Sequence, residues 1–159
     1  MKSLISEIWS YYRQTASGTE YLYQQLDDEE FHIRILDLLP SRDRCAPLHC
    51  SLRETRLAQS GDEPGSYEAL SYVWGSSKVL RLMFVHGHVF RITANLDTAL
   101  RHLRHETQVR SLWIDAICIN QKDNKEKSSQ VNQMRHVYAK ASRVLVWLGP
   151  GDEIGRAHV

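Results

Sequence analysis

The chain has 159 residues, 42% hydrophobic and 25% charged, with 20 basic and 19 acidic side chains giving a formal charge of +1. That length and composition suit one globular domain and exclude a disordered or fibrous polymer. Balanced charge leaves no electrostatic footprint for nucleic acid or an anionic membrane, and no run of ~18 apolar residues offers a membrane span.

In chain order, Leu4, Ile5, Ile8, Trp9 and Tyr12 recur at helical spacing, which predicts a short helix docking on the domain. The same stretch lacks the long apolar segment of a signal peptide. Thr15 to Thr19 is small and polar around Gly18 and reads as a break, so residues 1–30 are expected to be helix and linker. Asp27 to Glu30 is a carboxylate run, most simply a solvated turn. Phe31 to Leu39 alternates as a strand and stops at Pro40, and Leu48 to Leu57 is a second strand. Residues 31–66 are thus a β-hairpin lead-in ending in the exposed loop QSGDEPGS. Cys45, Cys50 and Cys118 are an odd, sparse set, which points to a reducing, cytoplasmic setting. Cys45 and Cys50 flank His49, but no second ligand pair completes a zinc pattern.

Tyr67 to Trp74 is an apolar and aromatic strand closed by Gly75. Val79 to Ile92 predicts two strands around His86-Gly87-His88, where glycine supplies the positive φ of a tight turn. His86 and His88 have no local carboxylate or thiol to help hold a metal, so the turn reading is preferred. Asn95 is expected to cap a helix with Leu96, Ala99, Leu100 and Leu103 on one face. Asp97 near its start and Arg101, His102, Arg104 and His105 near its end suit the macrodipole. Leu112 to Ile119 is nearly continuous apolar, as a strand covered on both faces would be. Asp123 is the expected cap of the next helix, with Glu126 as capping-box partner and a buried stripe of Val131, Met134, Val137, Tyr138 and Ala141. Arg143 to Leu148 is the returning strand. Ser111 to Gly149 therefore reads as a βαβ unit with parallel strands.

In such folds ligands bind outside the carboxyl ends of the strands. Two such ends offer candidates. Trp74, Gly75 and Ser76 form one, where a glycine admits close approach and hydroxyls and amides suit phosphate or ribose. Asn120 and Gln121 form the other, with donor and acceptor pairs beside a helix start. Asp115 reads either as a site acid with a raised pKa or as a structural carboxylate held by amides or an arginine. Glu126 has two readings as well, a cap partner and a general base or ribose ligand. Cys118 is either a nucleophile or a buried, inert thiol. Trp74, Trp113 and Trp147 sit in apolar strands, where core packing is the default.

The last seven residues, Glu153 to Val159, equal the translation of GAG ATC GGA AGA GCA CAC GTC, which resembles a sequencing-library adapter. The expectation is that they are not native, and that the fold is incomplete at the C-terminus after about residue 152.

YEALSYVWG (Tyr67 to Gly75), LWIDAICINQ (Leu112 to Gln121), EKSSQV (Glu126 to Val131) and ASRVLVWLG (Ala141 to Gly149) resemble the fungal heterokaryon incompatibility (HET) domain in order and spacing. Residues 67–152 would be the front part of that domain. The chain departs from the family pattern at Ser76, often Asp, and at His86, often Asn. The resemblance implies non-self recognition and a cell-death response; one reading has the module signal by homotypic assembly and protein contacts, and another makes the chain an inactive fragment. It also implies an α/β fold distantly similar to Toll/interleukin-receptor (TIR) domains, a flavodoxin-like parallel sheet with crossover helices, here with added β-hairpins. Some TIR domains cleave NAD using a helical glutamate. On that likeness NAD is a candidate substrate, Glu126 the candidate catalytic residue, and the binding space lies between the Gly75 loop and the Asn120–Gln121 elbow.

Overall fold

A computed structural model describes residues 17–27, 31–57 and 65–150. The helix expected at the N-terminus, most of the Asp27–Glu30 run, much of the QSGDEPGS loop and the last nine residues lie outside the described residues. The described residues form a mixed α/β fold around one eight-stranded sheet. In chain order the elements are β1 (Ser17–Glu20), β2 (His32–Leu38), β3 (His49–Arg56), β4 (Glu68–Tyr72), β5 (Leu80–Val85), β6 (His88–Thr93), α1 (Ala94–Leu103), β7 (Arg110–Trp113), α2 (Asp115–Cys118), α3 (Asn124–Lys140) and β8 (Arg143–Trp147). The strand order is β1-β6-β5-β3-β2-β7-β4-β8. Pairing is parallel for β1/β6, β3/β5, β4/β7 and β4/β8 and antiparallel for the other neighbours. The sheet is thus mixed, with a wholly parallel trio, β7-β4-β8, at one end.

β2 lies near the middle of the sheet between β3 and β7. Ile33, Arg34, Ile35 and Leu36 are all buried, so this strand is covered on both faces, and the apolar alternation in its sequence understates its burial. The core continues through Leu48, Met83, Val85, Leu96, Leu100, Leu112 and Trp113, each at most 1% exposed. Truncating one such leucine to alanine removes about 2–5 kcal/mol in comparable cores. The two expected hairpins form: β2 with β3, and β5 with β6. The second turns at His86 (φ 49°) and Gly87 (φ 78°), and the two positive φ values match the sheet's twist.

Several expectations need correction. Ser17 to Glu20, read as linker, is strand β1, parallel to β6 at one sheet edge. The run Leu112 to Ile119 is not one strand. β7 stops at Trp113, and Asp115–Cys118 winds into a helical turn, with the Cys118 amide donating to the Ile114 carbonyl at 2.7 Å. At this switch the Asp115 carboxylate accepts the Ala116 amide at 2.8 Å, a local side-chain bond that competes with a strand ladder. β7 and β8 run parallel but are not neighbours, since β4 lies between them and pairs with both. The cap of α1 is Thr93, whose hydroxyl accepts the Leu96 amide at 3.3 Å, and not Asn95. On α3, Val137 is buried and Val131 is 49% exposed. The inward face runs through Glu126, Gln130, Met134 and Val137, so its first two turns present polar groups, one helical step away from Val131.

Candidate functional site

β4, β7 and β8 are parallel, so their carboxyl ends and the loops that follow gather at one end of the sheet. The Trp74 indole donates to the Asp115 carboxylate at 3.2 Å, joining the loop after β4 to the turn after β7. Asn95 secures the same loop. Its amide nitrogen donates to the Val73 carbonyl at 2.5 Å, and its oxygen accepts the Trp147 indole N–H at 3.3 Å. Gly75 holds φ +74°, and a Cβ there would meet Asn95 at 3.5 Å, an ordinary contact. Its requirement is therefore conformational rather than steric. Ser76 uses its hydroxyl locally, accepting the Lys78 amide at 3.2 Å. Trp74 is 44% exposed and Trp113 is fully buried, so core packing accounts for the second and not the first.

Asp115 is half-buried at the first position of α2. Burial raises its carboxyl above the ordinary range, while the Trp74 indole and the Ala116 amide pull the other way. Its charge reaches two tyrosines. Burial raises the Tyr72 and Tyr138 hydroxyls, and Asp115 adds to both. The Tyr72 hydroxyl oxygen is buried with no hydrogen-bond partner among the described residues. Cys118 is fully buried and its thiol is pushed up to about 12, chiefly by burial. A neutral, enclosed thiol has no nucleophilic use.

Glu126 occupies a different setting. Its carboxylate is held by the Arg34 guanidinium through both oxygens, one contact very short and the other 3.1 Å. It also accepts the Asn120 amide at 2.9 Å. The two side chains are only 5% and 9% exposed. Arg34 further donates to the Cys118 carbonyl at 3.1 Å and the Gln24 carbonyl at 2.7 Å, and lies 4.9 Å from the Tyr23 ring centre. This ion pair ties together the segment before β2, strand β2 and the elbow before α3. The expected capping box does not form, because Asp123 caps the helix alone through the Lys125 and Glu126 amides.

Asn120 and Gln121 face a third direction. They line a cavity of about 680 Å³ whose other walls are Glu20 to Tyr23 and the Val89–Arg91 part of β6. The Gln121 side-chain amide donates to the Asp115 carbonyl at 2.9 Å, which links this elbow to the Trp74–Asp115 pair. The seven candidate residues therefore fall into two adjoining groups, Trp74–Gly75–Ser76–Asp115 and Asn120–Gln121, with Glu126 locked behind the second. Three contributors were missed: Arg34, Asn95 and Tyr23. A lone arginine among Ile33, Ile35 and Leu36 was a usable signal, since a buried cation demands an anion. Nothing in the spacing named its partner 92 residues away.

A sequence profile described as Heterokaryon incompatibility protein (HET) matches residues 67–158, more than half of the chain. The chain belongs to the HET family. It is 44% identical over 150 aligned residues to Heterokaryon incompatibility protein 6, OR allele, of Neurospora crassa, an alignment covering 85% of this chain and 22% of that protein. The chain thus spans about a fifth of the length of this curated relative. No solved structure matches it significantly. The HET match begins at Tyr67, so Tyr21 and Tyr23, which line the cavity at its elbow, and Arg34, which holds Glu126 and the Cys118 carbonyl, lie outside it. Among the described residues, no helix is long and apolar enough to cross a membrane.

Proposed function

We propose that this chain serves fungal non-self recognition as the HET module of a larger protein, and that the module signals cell death by protein contact, first with a second copy of itself. The observation that carries this reading is strand β8. It pairs with β4 along one edge, and among the described residues no strand pairs with the other. Leu145 and Trp147 pack on the core, whereas Val144 and Val146, on the opposite face, are 37% and 51% exposed. Leu148 and Val73 beside them are 81% and 75% exposed. An open edge flanked by apolar side chains is a template for strand addition. Two copies meeting antiparallel through β8 would make a self-complementary contact, and a net charge of +1 opposes it little.

The trio β7-β4-β8, with α1 and α3 in its crossovers, is the part we read as TIR-like. The three free cysteines suit a cytoplasmic site of action. NAD turnover has no place in this reading. Glu126 acts as a positioning residue that fixes the elbow, since both of its oxygens are spent on Arg34 and the Asn120 amide.

Expression of the full protein in a filamentous fungus tests the proposal. Death on expression, lost in the Val144→Lys/Val146→Lys protein and unaccompanied by nicotinamide release from NAD, is the expected outcome. Nicotinamide release that tracks death and disappears in Glu126→Gln would overturn it.

A further inference from the structure

The cavity beside the Asn120–Gln121 elbow has a chemistry that strand assembly does not use. Its volume of about 680 Å³ falls within the range of small-molecule sites. Three rings, Tyr21, Tyr23 and Phe90, form its apolar wall. Tyr21 and Tyr23 meet edge to face at 5.2 Å, and Phe90 lies 6.3 and 6.1 Å from them. All three are only partly buried, so ring surface remains available on the cavity side. Tyr23 is fixed in place by its hydroxyl, which donates to the Ile117 carbonyl at 2.6 Å.

The polar groups opposite these rings are incompletely used. The Asn120 oxygen accepts the Lys122 amide, and its NH2 has no acceptor among the described residues. The Gln121 nitrogen donates to the Asp115 carbonyl, and its oxygen has no donor among the described residues. A donor and an acceptor on adjacent residues match the edge of a heterocycle that carries both. The charges are equally selective. Arg91 and Glu20 pair with each other, whereas the exposed Lys122 ammonium has no ion-pair partner among the described residues. The cavity therefore presents aromatic surface, an amide-like edge and one uncompensated positive charge.

We propose that this cavity binds a heteroaromatic anion of the purine mononucleotide kind, with the base against Tyr21, Tyr23 and Phe90, its edge on Asn120 and Gln121, and the phosphate near Lys122. Aromatic side chains hold bases by stacking with little regard to sequence, and an exposed lysine adds a modest electrostatic increment. The site needs residues 20–23, which precede the HET match, so the lead-in segment completes it. The proposal is independent of the β8 contact, because the two surfaces share no residue.

Amide NMR of the full 159-residue chain titrated with adenosine 5′-monophosphate, adenosine and inorganic phosphate tests it. AMP should shift the amides of Tyr21, Leu22, Phe90, Asn120 and Lys122. Adenosine should bind roughly five-fold more weakly, and phosphate alone should leave those amides unmoved. Lys122→Ala, an exposed substitution that the fold tolerates, should reduce AMP affinity to that of adenosine. Unmoved amides at millimolar AMP, or equal AMP affinity in wild type and Lys122→Ala, would overturn the assignment. Shifts of the same amides with phosphate alone would contradict it as well.

Discussion

Arg34 and Glu126 decide how the elbow is held. Each is enclosed, and removal of one leaves the other as an uncompensated buried charge. Such a loss costs about 3–5 kcal/mol, whereas exchanging both for apolar groups of similar size is often close to neutral. Arg34→Met should therefore lower the denaturation midpoint steeply, and Arg34→Met/Glu126→Leu should regain most of it. Equal loss in single and double variants would show that the pair stabilises through its contacts to Gln24 and Asn120 instead. Asp115 makes a prediction of opposite sign. Burial raises its folded-state carboxyl, so folding favours the protonated form, and the ionised form weakens the fold above that raised value. Asp115→Asn keeps an acceptor for the Trp74 indole and stays neutral. It should be at least as stable as wild type at pH 7, and the gap should close as pH falls toward the ordinary carboxylate range. Denaturation midpoints for the two proteins across that window check it. Glu68 behaves conversely. Burial alone would raise it, but the hydrogen bonds and charges of Arg110 and Arg143 bring it below its ordinary value, so its contribution is present at neutral pH and fades in acid.

Elements whose logic is local were legible in the sequence. The His86–Gly87 turn, the α1 stripe, the Asp123 cap and the β2/β3 hairpin all follow from near-neighbour chemistry. Elements whose logic is long-range were not. Leu112 to Ile119 carries a strand's composition, yet the Cys118 and Ile119 amides close a helical turn onto the Ile114 and Asp115 carbonyls, and apolar runs of this length do not distinguish strand from buried turn. The inward face of α3 is polar at Glu126 and Gln130 because Arg34 and the His32 carbonyl meet it, partners 92 and 98 residues distant. Trp74, Gly75 and Ser76 follow the carboxyl end of β4, and Asp115 that of β7, but how the candidates group depended on β4 lying between β7 and β8. Asn95 shows the same limit. It was read as a cap, and its work is to join the Val73 carbonyl to the Trp147 indole. Asn95→Ala should cost about 0.5–1.5 kcal/mol and loosen the Trp74 loop, while Thr93→Ala should cost about 1 kcal/mol through the cap alone. Hydrogen exchange at residues 73–76 separates the two. Acceleration there in Asn95→Ala, absent in Thr93→Ala, is expected. Equal protection in both variants would refute the tether.

At the scale of the whole molecule, the lead-in residues 17–57 and the HET-matched residues form one sheet, with β2 hydrogen-bonded to β7 and the Arg34–Glu126 pair spanning the boundary. Among the described residues β8 is an edge strand, paired only with β4, and the apolar side chains of Val144 and Val146 lie exposed on one of its faces. Sedimentation velocity of the full chain over a concentration series reads association through that edge. The average mass should climb from the 18.4 kDa protomer toward a dimer as concentration rises, and Val144→Lys/Val146→Lys should remain a protomer throughout. A wild-type chain that stays at 18.4 kDa at every concentration, or a doubly substituted chain that associates as well as wild type, would contradict it.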